Sequence, residues 1–394
     1  MATRGSIPAV ATTFAMSGIL SAQAFARMPT LRDQVGATPG QLGLALVWGG
    51  VGSVVTMPWT GRLVERWGSR RTVLVAGVLA CVAWSALAFA RSPVELAPLL
   101  FLCGAGIGVW DVGMNVQGHG VERLRGRSLM PRLHAAYSAG TLLGALAGVL
   151  TARAGVPLRV QLPVAGALCL ATLGWTLTRF VPDAAAGKHA AEPGATRGGV
   201  TGLELVIGVI CLSTAIGEGA ANDWLALLLV DDRAAPEAVG ALAFAAFNLT
   251  MLAGRLVGGP AIERWGRVAV LRVSGACAAG GLLLLCLVPN LYAALLGGLL
   301  WGLGLATVFP ATMSAAGEVP GRGQRAIGVV SSIGYGGFLL GSPTLGLAAD
   351  RVGLDRALLL VAVFGGLIVV LAGAVAPRSA GAHPLVEPDT TLLR

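Results

Sequence analysis

Residues 61–71 read GRLVERWGSRR, and residues 259–266 read GPAIERWG. Glycine opens both stretches, and four residues on both carry the same tetrad, Glu65-Arg66-Trp67-Gly68 in one and Glu263-Arg264-Trp265-Gly266 in the other. They lie 198 residues apart, about half of a 394-residue chain. At the same offset Gly104-Ala105-Gly106 is matched by Gly302-Leu303-Gly304, and Tyr137 by Tyr335. Three coincidences at one offset predict a duplication, with the basic GRLVERWGSRR stretch a short loop between two apolar segments.

The apolar segments follow outward from that loop. The chain is 55% hydrophobic and 12% charged, where a soluble protein carries about 25% charged residues. A bilayer span needs about 20 apolar residues. Runs of that kind cover 7–28, 42–60, 72–90, 96–118, 134–152 and 160–181, and then 203–230, 238–258, 268–288, 291–316, 326–348 and 356–376. The expected fold is an all-α membrane protein, with twelve transmembrane helices in two pseudo-symmetric six-helix bundles. Residues 1–181 form the first bundle, 182–202 a Pro/Gly/Ala-rich linker, 203–377 the second bundle and 378–394 a tail without apolar period. Met1–Arg4 followed by an apolar run and Ala22-Gln23-Ala24 also fits a cleaved signal peptide. Cleavage would leave eleven helices and unmatched halves, so the first run is read as a span. Lysine and arginine in alternate loops number 20 on one side, Arg255 counted among them with Arg264, Arg267 and Arg272, and 8 on the other; the positive-inside rule then puts both termini in the cytoplasm.

Other classes fall away on the same evidence. The net charge of +9 is spread over short loops, not gathered into a nucleic-acid-binding patch. The six cysteines lie singly in apolar runs, with no CxxC pair or Cys/His cluster to hold a metal. Lys188 is the sole lysine and lies in the linker, which excludes a Walker motif, and neither HExxH nor GxSxG occurs. The chain is read as a non-enzyme without cofactor or metal.

GRLVERWGSRR resembles the signature of the major facilitator superfamily, G-x-L-a-D-r-x-G-r-[RK]. Gly61, Leu63, Arg66, Gly68, Arg70 and Arg71 match it, and Glu65 stands where aspartate is usual. The resemblance implies a cytoplasmic gate, in which the glycine lets helices approach and the acid docks on a neighbouring helix end, gaining up to about 1 kcal/mol from the helix dipole. Glu263, Arg264 and Gly266 would form its second copy. A further likeness, to bacterial permeases related to the fucose permease, rests on Asp111-Val-Gly-Met-Asn115, Glu122, Gly126-Arg127, His134, Ser138-Ala-Gly140 and the run from Gly217 to Trp224. That group pairs an acid in helix 4 with one in helix 1; helix 1 here offers only Gln23, with Arg27 one turn later.

A charge at the centre of a membrane helix costs about 2.5–3.5 kcal/mol, so it tends to face a cavity, a partner or a water path. Asp111 and Glu218 fall near the middle of their runs and Asp223 nearer an end. Two readings stand for each: a proton carrier, or a structural ion pair or hydrogen bond. Asn115 lies one turn from Asp111; with Gln23, Asn222 and Asn248 it is a candidate for touching a polar solute or for bridging helices, whereas Arg27 either pairs with an acid, binds an anionic substrate or is a snorkelling interfacial anchor. Trp110 and Trp224 flank the acids and offer either stacking or packing. The expected function is secondary active transport of a small polar solute, such as a sugar or related metabolite, driven by protons through a monomer in the inner membrane. A proton-antiport exporter of drugs or metabolites, and a solute receptor that does not transport, are the rival readings.

Overall fold

The computed structural model describes residues 5–125, 129–182 and 199–377. Gly126 and Arg127, most of the linker and the tail lie outside the described residues. Twelve helices among the described residues are long and apolar enough to cross a membrane. In the first half α1 (Ser6–Phe25) is followed by a short α2 (Met28–Val35), then α3 (Pro39–Trp67), α4 (Ser69–Leu87), α5 (Pro93–Arg125), α6 (Met130–Arg153) and α7 (Leu158–Leu177). The second half holds α8 (Gly202–Asp231), α9 (Glu237–Trp265), α10 (Arg267–Leu287), α11 (Leu291–Leu305) with its continuation α12 (Val308–Gly317), α13 (Gly323–Val352) and α14 (Leu354–Leu371).

The duplication is visible helix by helix. α3 and α9 are each 29 residues long and start 198 residues apart. α3 packs on α5, α1 on α6, and α4 on both α5 and α7. The equivalent pairs are α9 on α11, α8 on α13, and α10 on both α11 and α14. The repeated glycines explain part of this. A Cβ on Gly104 would collide with the backbone of Gly49, and one on Gly302 with the carbonyl of Phe247. Gly106 likewise faces the backbone of Ala80, and Gly304 that of Ala278. Every one of these neighbours is its counterpart's partner shifted by 198 residues, so one pair of backbone-on-backbone contacts is used twice, as small residues permit between membrane helices.

Two expectations are corrected. Residues 61–67 are not loop: α3 runs on through Trp67, and the break is the single residue Gly68, with φ +81°. Gly266 repeats it at φ +80° between α9 and α10. A positive φ suits glycine, which lacks the Cβ that would clash there. The run 7–28 also ends early, because α1 stops at Phe25 and the chain turns into the amphipathic α2.

The outward faces of α4, α7, α10 and α14 carry exposed apolar side chains such as Val82, Leu168, Val273 and Val370, the face a bilayer covers. The halves meet through α3 on α13 and, at the equivalent place, α9 on α6.

Candidate functional site

Between the halves lies a cavity of about 330 Å³. Its first-half wall includes Ser17, Ser21 and Phe25 of α1, Ser53 and Met57 of α3, Trp84 of α4, Asp111 of α5 and Tyr137 of α6. From the second half come Asn222 and Asp223 of α8, and Tyr335, Phe338 and Ser342 of α13. The two tyrosines matched at the 198-residue offset therefore face one space from opposite halves. A smaller pocket of about 30 Å³ adjoins it, sharing Ser21, Phe25, Tyr137 and Asn222 and adding Ser138, Thr141, Glu218, Asn248 and Arg255.

Of the three acids singled out in the sequence, Asp111 and Asp223 line the larger cavity and Glu218 the smaller. Asn115 Nδ2 donates to the Asp111 carboxylate at 3.2 Å and to its carbonyl at 2.8 Å, so helical spacing alone ties the pair together. Asp223 is buried and accepts from the Ser342 hydroxyl across to α13. Glu218 lies 3.5 Å from Arg255 of α9. Neither Asp111 nor Asp223 has a basic partner among the described residues, and both line a space large enough for a small solute.

Asn222 lines both spaces, and Asn248 lines the smaller one while its Nδ2 donates to the Phe244 carbonyl at 2.9 Å. Four other candidates lie elsewhere. Gln23 is buried with its carbonyl accepting from Gln161, and it lines neither space. Trp110 and Trp224 are fully buried between helices; Trp110 packs beside Gly77 of α4. Arg27 is turned away from the cavity into a buried network.

That network closes one side of the molecule, the side away from Gly68 and Gly266. Arg27 Nε bonds Glu237 of α9 at 2.7 Å, and its Nη1 bonds Gln161 at 2.7 Å and the Val156 carbonyl at 3.1 Å. Thr30 also bonds Glu237. Beside it Arg32 pairs with Asp231. Asp350, near the end of α13, accepts from the Gly40 N–H at 3.0 Å and from Thr38 at 3.2 Å at the start of α3. A carboxylate at a helix N-terminus satisfies donors that have no partner within the helix. Gly43 against the Ser342 carbonyl and Gly346 against the Pro39 carbonyl let the two helices touch there. Arg27 thus has an acid partner, one of the readings its position allowed, while nothing in the sequence pointed to Glu237, Asp231 or Asp350.

On the Gly68 side the motif residues stand apart. Glu65, Arg66, Arg70, Arg71 and Glu263 are exposed, and Arg264 stacks on Trp265 at 5.4 Å. A Cβ on Gly61 would meet open space. Glu122 accepts from the N–H groups of Leu129 and Met130, at 2.5 and 2.8 Å, and so caps α6. Arg255 is a residue that the sequence reading placed with the basic loops. It sits inside α9, ten residues before its end at Trp265, and its Nη1 donates to Ser138 of the other half at 2.8 Å.

The chain matches the family model described as Major Facilitator Superfamily over residues 9–230 and 207–391. It is 33% identical over 371 residues to an uncharacterized transporter, y4wD, of Sinorhizobium fredii, covering 92% of this chain and 96% of that one. It is 30% identical over 381 residues to the membrane protein MosC of Rhizobium meliloti, covering 96% and 92%. Among solved structures, the nucleoside transporter NupG superposes with a TM-score of 0.73 at 15% identity, covering 95% of this chain and 98% of that one. A bacterial homologue of the human lysosomal transporter Spinster, in an inward-facing and occupied conformation, gives 0.74 at 11% identity, covering 94% and 96%. Both likenesses are of fold. Twelve spans, a cavity between duplicated halves and these matches lead to one conclusion: the chain belongs to the major facilitator superfamily, as a multi-pass transporter of the bacterial inner membrane and not an enzyme.

Proposed function

We propose that the protein is a proton-coupled secondary transporter of a small polar solute, working as a monomer by alternating access about the cavity between its halves. The observation that carries this reading is the pair of carboxylates, Asp111 and Asp223, facing one cavity from the two halves with no basic partner among the described residues. A carboxyl in such a place changes its proton affinity with its surroundings, and rocking of duplicated halves changes those surroundings. Asp111 and Glu218 are the main proton carriers in this reading, with Asp223 at the far wall. Asn115, Asn222 and Asn248 serve the solute directly or through the acids.

The boundaries 1–181 and 203–377 for the moving halves, and cytoplasmic termini, belong to the same proposal. They rest on the basic-residue bias of the loops, even with Arg255 taken out of that count. In that orientation the Arg27–Glu237 and Asp350 contacts are the outer clasp, and the exposed Glu65 and Glu263 motifs are an inner gate standing open. A second reading, export of amphipathic compounds, is favoured by the largely apolar remainder of the cavity wall, including Leu46, Met57, Ile107 and Leu339.

A thermal-shift screen of the purified protein against sugars, organic acids, amino acids, nucleosides and common drugs separates the two. A ligand at a hundredfold its Kd stabilises the state it binds by about 2.7 kcal/mol. Stabilisation by one polar class is the expected result. Stabilisation by many unrelated apolar drugs, and by no polar solute, would replace the polar-solute reading by export of amphipathic compounds.

A further inference from the structure

We infer that Arg255 is the receptor for a carboxylate on the transported solute, and that Glu218 holds its place until the solute arrives. This rests on the transporter reading and narrows its substrate to small acids that carry hydrogen-bond donors elsewhere, such as hydroxy or amino acids.

The geometry separates this ion pair from the others in the molecule. Arg27–Glu237, Arg267–Glu318 and Arg322–Glu204 close to 2.7, 2.6 and 2.8 Å. Arg255–Glu218 stays at 3.5 Å, outside the range of a strong charge-assisted hydrogen bond. The Arg255 side chain is also more accessible, at 30%, than Arg27, Arg267 and Arg322 of those pairs, at 4%, 11% and 17%. A guanidinium has five N–H donors in a planar fork. Arg255 directs Nη1 to Ser138 and Nη2 weakly to Glu218, and its Nε donates to none of the described residues.

The small pocket in front of it has the right size and lining. Its volume of about 30 Å³ admits about two water-sized centres, the space of the two oxygens of one carboxylate. Asn222, Asn248, Ser21 and Thr141 surround it with further polar groups from both halves. Arginine is suited to such a place because its fork meets a carboxylate through two parallel bonds.

The larger cavity completes the recognition. A solute whose carboxylate occupies the small pocket reaches past the shared residues Ser21, Tyr137 and Asn222 toward Asp111 and Asp223. Those carboxylates repel a second anion and accept from hydroxyl or ammonium donors. The site therefore disfavours dicarboxylates and favours a solute with an acid at one end and donors at the other. Because Glu218 and the solute compete for one guanidinium, removing the Glu218 charge should strengthen binding, which a purely structural ion pair would not do.

The test measures binding to the full-length protein in detergent with two matched pairs, glucuronate against glucuronamide and alanine against alaninamide. An acid should bind the wild type at least about tenfold more tightly than its amide, the scale of a lost charge-assisted contact. Arg255→Gln should erase that preference, and Glu218→Gln should tighten the acid several-fold at unchanged pH. Unliganded melting of each variant checks the fold, and the isosteric Glu218→Gln keeps the test decisive if Arg255→Gln is unstable. A wild type that binds neutral sugars and no acid would overturn the inference and leave the transport reading standing. A wild type that binds no solute of any class would overturn both. Affinity for the acid unaffected by Glu218→Gln would reduce the pair to a structural link.

Discussion

Asp111→Asn is expected to cut proton-driven solute accumulation by about a hundredfold, the scale on which a positioned proton-transfer group contributes, while solute exchange without a pH gradient continues. The amide has the volume of the acid, and its oxygen can still accept from Asn115 Nδ2, the contact that orients the side chain now. The fold and the cavity wall should therefore survive. What is lost is the exchangeable proton on a group that faces the cavity from the first half. The pair of measurements is uptake into proteoliposomes under an imposed pH gradient and counterflow at equal pH. Loss of both would assign Asp111 to solute binding or folding, and loss of neither would remove it from the coupling.

Arg27→Gln is expected to open the clasped side of the molecule. Arg27 is buried and bonds Glu237, Gln161, Thr151 and the Val156 carbonyl, so it ties α1 both to its own half and to α9 of the other. Removing it leaves Glu237, which is partly exposed, without its cation and the Gln161 and Val156 oxygens without their donor, at a cost of about 1–3 kcal/mol. In a two-state transporter that cost falls on the state in which the clasp is closed, and it shifts the populations by roughly one to two orders of magnitude. Hydrogen exchange should quicken at the start of α3, where Gly40 N–H meets Asp350, and at the end of α13. Unchanged exchange there would mean that Asp350 and the glycine contacts hold that side without Arg27.

The parts of this molecule that sequence made legible are those governed by local rules. The 198-residue repeat foretold a duplication, and the duplication is what gives α3 and α9 equal lengths, sets positive-φ glycines at 68 and 266 and repeats the contacts at Gly104, Gly106, Gly302 and Gly304. Asp111, Asp223 and Glu218 stood out because a charge inside an apolar run needs a reason, and all three border the cavity or its side pocket. What failed was the choice of helix face. Helices that are apolar nearly all round, such as α5 and α8, give no stripe from which to tell inward from outward. Trp110 and Trp224, each adjacent in sequence to a cavity acid, thus point into helix packing instead.

Long-range pairing was equally closed to view. Glu237 lies 210 residues from Arg27, and no periodicity links them. Arg255 had a local signal that went unused. It falls inside the apolar run 238–258 and so belonged with the buried charges, but as an arginine near the end of that run it was grouped with the basic loops. The GRLVERWGSRR stretch shows a different limit: the resemblance implies a helix-end partner for Glu65, and here Glu65 is exposed.

The most direct test of the account places the wild-type protein in proteoliposomes with a trapped pH dye. The solute identified by thermal shift is then added on one side, with no pH gradient imposed. The account predicts that protons move with the solute down its gradient, at a rate that follows solute uptake and disappears in Asp111→Asn. Solute uptake without any proton movement would contradict it, and the carboxylates facing the cavity would then be binding groups alone.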